Sequence, residues 1–187
     1  SCAGIPRRSS RGSAGGSPCG SAGAHRYPAR SVGAGTARSL LIDGDRVIVG
    51  VATGTSVASS DFNSNDSEVA AIDLRTGQLE PDFGTGGYLR WDWGYSSTEA
   101  TSGWIPNGRG GYVGCGHVLK SLLSGQAVSL VDITASGQPD TAVGYQGRRL
   151  IAGTSSATCA GLLRMGDGRL AVAANDAGEG VVMFFDR

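Results

Sequence analysis

The chain has one lysine, Lys120, two histidines, His25 and His117, and aromatic side chains at only 6% of its 187 positions. None of its four cysteines sits in a Cys-x-x-Cys pair, and only His25 and His117 could complete a zinc site with them, which argues against structural zinc. No apolar run is long enough for a membrane-spanning helix. Nor does any apolar stretch resemble a signal peptide, so any export signal is expected to have been removed already. Acidic residues are missing from 1–38, where six arginines fall: Arg7, Arg8, Arg11, Arg26, Arg30 and Arg38. The remainder then carries ten cations against sixteen acids, so a basic arm and an acidic body attract each other.

What is abundant is glycine, at 32 residues, set between short runs of Val, Ile, Leu and Ala. That composition favours many strands joined by tight turns over helices. A chain of this length buries roughly 70% of the surface its unfolded form exposes, enough for a true core. The segment 69–88, VAAIDLRTGQLEPDFGTGGY, returns as 128–147, VSLVDITASGQPDTAVGYQG, and a third copy begins at Val181 with VVMFFDR. Asp73, Gly77, Gly84 and Gly87 of the first copy are matched by Asp132, Gly137, Gly144 and Gly147. A period near 60 residues is the signature of a propeller, solenoid or array.

Each unit reads as short strands around one hairpin signal, Asp43-Gly44, Asn107-Gly108 or Asp167-Gly168, dipeptides in which both residues tolerate positive φ. The third strand of each unit, VAAIDL, VSLVDI or VVMFFD, is apolar without clean alternation, as expected of a strand covered on both faces. The expected fold is therefore all-β: three four-stranded antiparallel repeat units of about 60 residues, propeller-like or an open array, following an irregular arm. The domain division is 1–36 for the arm and 37–187 for the repeats. Asp73, Asp132 and Asp186 are expected to end equivalent strands and cap the turns that follow. A ring of acidic ligands around a channel is the alternative.

LLIDGDRVIVG, SGWIPNGRGGYVG and RMGDGRLAVAA, with the AIDLRTGQLEPDFGTGG segment, resemble the bacterial delta-60 repeat and the wider group of propeller repeats that includes quinoprotein-type blades. The resemblance covers about 37–187. It implies a β-propeller of a kind found in secreted or surface proteins, and little about activity. The second copy departs from it, with AVGYQG where the first has DFGTGG. Three units are also fewer than the four to eight that close a ring, so either two chains pair to complete one or this is a truncated or open array. The third unit lacks a fourth strand, which 27–32 is placed to supply.

The even cysteine count permits two disulfides, and three pairings are open. Cys2 with Cys19 would close a loop in the arm, and Cys115 with Cys159 would tie the second unit to the third. Such pairs suit an extracytoplasmic location, periplasmic, cell-surface or secreted. The start SCAG resembles a lipoprotein processing site with Cys2 as the lipidated residue, but Ser1 precedes it. The arm itself is Gly, Ser, Ala, Pro and Arg with almost nothing to bury. It reads as a tether or assembly arm that docks through Arg7, Arg8, Arg11, Arg26 and Arg30. Clustered arginine also suits nucleic acid or an anionic membrane surface, though one aromatic, Tyr27, among six dispersed arginines makes nucleic acid the poorer fit.

Four features bear on chemistry. The loop DFNSNDSE places Asp61, Asn63, Asn65, Asp66 and Glu68 where oxygen ligands could surround Ca²⁺, without the Gly and distal Glu of an EF-hand; a solvated loop is the plainer reading. Trp91 and Trp93 share a face of one strand and Trp104 follows, either a shelf for sugars or a planar cofactor, or packing between sheets. Cys115 and His117 share a strand face, which would pair a thiol with an imidazole unless a disulfide consumes the thiol. Gly-rich runs at 84–87 and 108–114 lie between strands with no helix following, which fails the context of a phosphate cradle. The expectation is a non-enzymatic extracytoplasmic binding or scaffolding subunit of a larger assembly, docking through its basic arm and blade edges, with no cofactor, or Ca²⁺ at most, whose partners are other subunits or a second copy of itself. Its competitors are a quinoprotein-like or hydrolase enzyme fragment and a Ca²⁺-dependent carbohydrate-binding module.

Overall fold

A computed structural model describes residues 35–53, 66–93, 99–121, 125–151 and 156–186. Within them lie eleven strands: β1 (Gly35–Asp43), β2 (Arg46–Thr53), β3 (Ser67–Asp73), β4 (Tyr88–Trp91), β5 (Glu99–Pro106), β6 (Tyr112–Ser121), β7 (Gly125–Ile133), β8 (Arg148–Ile151), β9 (Thr158–Arg164), β10 (Leu170–Asp176) and β11 (Glu179–Phe185). They form three antiparallel meanders, β1-β2-β3-β4, β5-β6-β7-β8 and β9-β10-β11, here called the first, second and third sheets. The third has three strands among the described residues, not the four expected of each unit. The segment 27–32, proposed to complete it, lies outside the described residues, as does nearly all of the 1–36 arm.

The hairpins form where the dipeptides put them. Asp43 pairs with Arg46 across a two-residue turn in which Gly44 takes φ +61°, a conformation costly for a residue with a Cβ. The longer turns at Asn107 and Asp167 use their carboxamide or carboxylate oxygens instead. Asn107 Oδ1 accepts from the Arg109 and Gly111 amides, and Asp167 Oδ1 from the Arg169 amide.

The loop after the third strand is built alike in the first two units. Ala71 N donates to Gly87 O as Asp132 N donates to Gly147 O, Glu80 N to Ala71 O as Asp140 N to Asp132 O, and Thr85 N to Tyr88 O as Tyr145 N to Arg148 O. A Cβ at Gly84 would meet Tyr88 O at 2.2 Å, and one at Gly144 would meet Arg148 O at 2.3 Å. These bonds align Ala71 with Asp132, and hence Asp73 with Thr134. The expected equivalence of Asp73 and Asp132 is therefore corrected by two ladder positions. The turn from Thr134 to Gly137 is one residue shorter than that from Asp73 to Gly77, and Asp132 stands one residue further from its glycine than Asp73 does, so together these place the second aspartate in the sheet rather than the turn. Asp73 does cap its turn, with Oδ1 accepting from the Arg75 and Thr76 amides. In the second unit Thr134 Oγ1 takes that role toward Gln138 N. Asp132 is fully buried.

The sheets pack face to face in chain order. Strand β5 lies over β1, β2 and β3, and β9 lies over β5, β6 and β7. Between the first and second sheets, Ile48, Val69 and Ala71 meet Trp104, Tyr112, Val131 and Ile133, with Phe83 and Trp91 closing the cluster. Between the second and third, Cys115, Val128 and Leu130 meet Ala157, Cys159, Val172 and Ala174. Side chains alternate across each strand, so β7 sends Val131 and Ile133 to one neighbour and Val128 and Leu130 to the other. That is why its sequence is apolar throughout. Close approach is permitted by glycine: a Cβ at Gly50 of the first sheet or Gly114 of the second would stand 2.8 Å from the Trp104 ring. Trp104 fills that slot and meets Trp91 edge to face at 5.9 Å.

Candidate docking faces and the polar seam

The ladder registers make the faces of the three sheets comparable position by position. Leu40 pairs with Val49 as Trp104 pairs with Gly114, and Ile42 pairs with Val47 as Pro106 pairs with Tyr112. Arg164 pairs with Leu170 and Leu170 with Phe185, as Pro106 pairs with Tyr112 and Tyr112 with Ile133. On this alignment each sheet has a leading face, turned toward the next sheet, and a trailing face turned toward the previous one. The leading face carries Ile48, Val69 and Ala71 in the first sheet and Val113, Leu130 and Asp132 in the second, all inaccessible to solvent. In the third sheet the same positions are Ala171, Val182 and Phe184, with Leu163 beside them. Here Leu163, Val182 and Phe184 are 63%, 60% and 57% exposed. The trailing face of the second sheet buries Trp104 and Tyr112, whereas Leu40, equivalent to Trp104, is 71% exposed, and Ile42 beside it 69%. The two ends of the stack thus present apolar side chains at positions that are buried wherever a neighbouring sheet is present.

A polar seam runs along the hairpin ends. Arg46 Nε donates to both Glu80 carboxylate oxygens at 2.9 and 2.8 Å, while its Nη1 crosses to the second sheet and donates to Ala135 O at 2.8 Å. The Glu80 hydrogen bond holds the Arg46 pKa above the ordinary arginine value, and the guanidinium also lies 5.8 Å from the Phe83 ring. Tyr112 donates to Asp43 Oδ2 at 2.7 Å, and burial raises its phenol pKa. In the second unit Arg149 and Arg109 approach the buried Asp132 at 3.2 and 3.6 Å, and Arg109 also pairs with Asp140 at 2.6 Å. Arg169, at the ladder position of Arg46, pairs with Asp167 and lies 5.8 Å from the Phe184 ring. A cleft of about 390 Å³ opens between the second and third hairpins, lined by Asn107, Arg109, Arg164, Asp167, Arg169 and Asp186.

Cys115 and Cys159 are joined in a disulfide with Cα atoms 6.0 Å apart, tying the second sheet to the third, which is one of the pairings the sequence left open. With its sulfur bonded, Cys115 is no thiol partner for His117. The pKa of that imidazole is lowered by burial and by the charge of Arg38. Cys2 and Cys19 lie outside the described residues, as do Arg7, Arg8, Arg11, Arg26 and Arg30.

Of the calcium-loop residues, Asp61, Asn63 and Asn65 lie outside the described residues, and Asp66 immediately precedes β3. Glu68 is a buried strand residue whose carboxylate stands 3.4 Å from Arg90 on β4. Burial raises its pKa, with Arg90 opposing. Among the described residues no group of three or more His, Cys, Asp or Glu side chains is arranged to hold a metal ion. The tryptophans pack between sheets at Trp91 and Trp104, both buried. Trp93 is half-buried beneath the Arg148 guanidinium at 5.5 Å. A cavity of about 270 Å³ opens beside Trp91, between Leu89, Val131, Ile133, Pro139 and Arg148.

Leu40, Ile42, Leu163, Val182 and Phe184 escaped the sequence reading as candidate contact residues. Their signal was present: each belongs to a strand whose counterparts in the repeat are covered. No helix among the described residues is long and apolar enough to cross a membrane. Comparison with protein-family models and with curated proteins gave no match. The fold and faces together define the class: an all-β protein of three face-stacked antiparallel sheets with a disulfide across one interface.

Proposed function

We propose that this chain is a non-enzymatic binding or scaffolding subunit, built of propeller-like blades and working outside the cytoplasm, that engages other subunits or a second copy of itself through the two outer faces of its stack. The observation that carries this reading is the exposure of Leu40 and Ile42 at one end and Leu163, Val182 and Phe184 at the other. Contiguous apolar side chains on a soluble surface mark sites of association. The Cys115–Cys159 disulfide supports the compartment, because such bonds persist where the environment is oxidising. The similarity of the three meanders to propeller blades rests on their stacking order and on the loop hydrogen bonds that the first two share. The arm's five arginines, Arg7, Arg8, Arg11, Arg26 and Arg30, supply a second contact of opposite character, suited to an acidic partner surface.

The test is site-specific photo-crosslinking in the cell that makes the protein, with a benzophenone amino acid at position 42, at position 184, or at the exposed loop residue Thr85 as control. Protein adducts at 42 and 184 but not at 85 are expected. Absence of adducts at both faces, or equal yield at Thr85, sinks the reading.

A further inference from the structure

We propose that the leading face of the third sheet docks onto the trailing face of the first sheet of a second copy of this chain, in the same register that joins the first sheet to the second and the second to the third. The inference rests on the scaffold reading and names the partner of those two faces. Its basis is continuity. The chain contains the same interface twice, and in both cases the apolar side chains of a leading face pack against those of a trailing face. The outer face of the third sheet is a leading face and that of the first sheet is a trailing face, so the two ends are complementary halves of one contact. Val182 and Phe184 stand where Val69 and Ala71, or Leu130 and Asp132, are buried. Leu40 stands where Trp104 is buried.

The polar seam extends the match. Arg46 of the first sheet crosses to Ala135 O on the second, while packing near Phe83. Arg169 occupies the Arg46 position and lies equally near Phe184. Leu74 is equivalent to Ala135 by the loop alignment and is 45% exposed. In the proposed contact Arg169 donates to Leu74 O of the second copy. Contacts between unlike faces are heterologous, and two copies joined at both ends form a closed ring of six sheets, within the four to eight that propellers use.

The experiment is mass measurement by light scattering on the full chain, its Ile42→Asp variant, its Phe184→Asp variant and an equimolar mixture of the two. Both positions are exposed, and β-sheet circular dichroism confirms that each variant is folded. The unmodified chain is expected at twice the 18.9 kDa of one copy. Each variant alone is expected as a monomer, and the mixture as a dimer held by the one contact that both substitutions spare. A monomeric unmodified chain overturns the proposal, as does a variant that still dimerises alone, or a mixture that stays monomeric. A monomer that dimerises only after removal of 1–34 assigns the face to the arm and overturns it too. The scaffold reading fails separately: crosslinks at 42 and 184 to proteins of other mass would keep that reading while overturning this one.

Discussion

Trp104 shows how single residues set the spacing of this molecule. Its indole is accommodated because position 50 on one sheet and position 114 on its own sheet have no Cβ. Gly50→Ala and Gly114→Ala are each expected to cost about 1–3 kcal/mol in urea unfolding, the usual cost of overpacking a core. Gly161→Ala, where a Cβ meets nothing within 4 Å, is expected to change stability by less than about 0.5 kcal/mol. Glu68 gives a second residue-scale expectation. Burial raises its folded pKa above the unfolded one, so its contribution favours the folded state at low pH and is lost as pH rises through the folded value. Glu68→Gln is therefore expected to raise the melting temperature at pH 7–8. The gain should shrink as pH falls below the ordinary glutamate range near about 4.3. A gain that grows on acidification would show that the Arg90 pairing outweighs desolvation.

At the scale of elements, the strands were legible because alternation and hairpin dipeptides are local signals. The hairpins β1–β2, β5–β6 and β9–β10 turn at the Asp-Gly or Asn-Gly dipeptides that the sequence offers. What was not legible was register. Gly77 and Gly84 find counterparts in Gly137 and Gly144, and an aspartate precedes each series, so the sequence alone gives no reason to shift Asp132 inward. Half of the two-position shift is the one-residue difference in turn length, which only the loop hydrogen bonds reveal; the other half is the extra residue between Asp132 and Gly137. Pairs such as Arg46 with Glu80, or Tyr112 with Asp43, join positions 34 and 69 residues apart and leave no local trace. Removing Arg46 would leave Glu80 and the Ala135 carbonyl without its donors, so Arg46→Met is expected to destabilise by about 1–3 kcal/mol, read by chemical unfolding. The disulfide closes a separation of 44 residues between elements of different sheets. Replacing Cys115 and Cys159 together with Ala is expected to cost roughly 2–4 kcal/mol in the same assay, mostly by freeing the unfolded chain. A loss below about 0.5 kcal/mol would mean that the second and third sheets hold together through apolar packing alone.

At the scale of the whole molecule, one kind of sheet is used three times among the described residues, with the middle copy covered on both sides and each outer copy covered on one. The outer faces are the point at which repetition of structure becomes a statement about association. The arrangement itself is tested most directly by amide hydrogen exchange on a chain blocked at both ends, Ile42→Asp with Phe184→Asp, so that no second copy shields either face. Amides of β6 and β7 are expected to exchange slowest, since they are the inner strands of the sheet that is covered from both directions. If β2 or β10 outlasts β7, or if the three sheets exchange as independent units, they do not stack in chain order and the account is wrong.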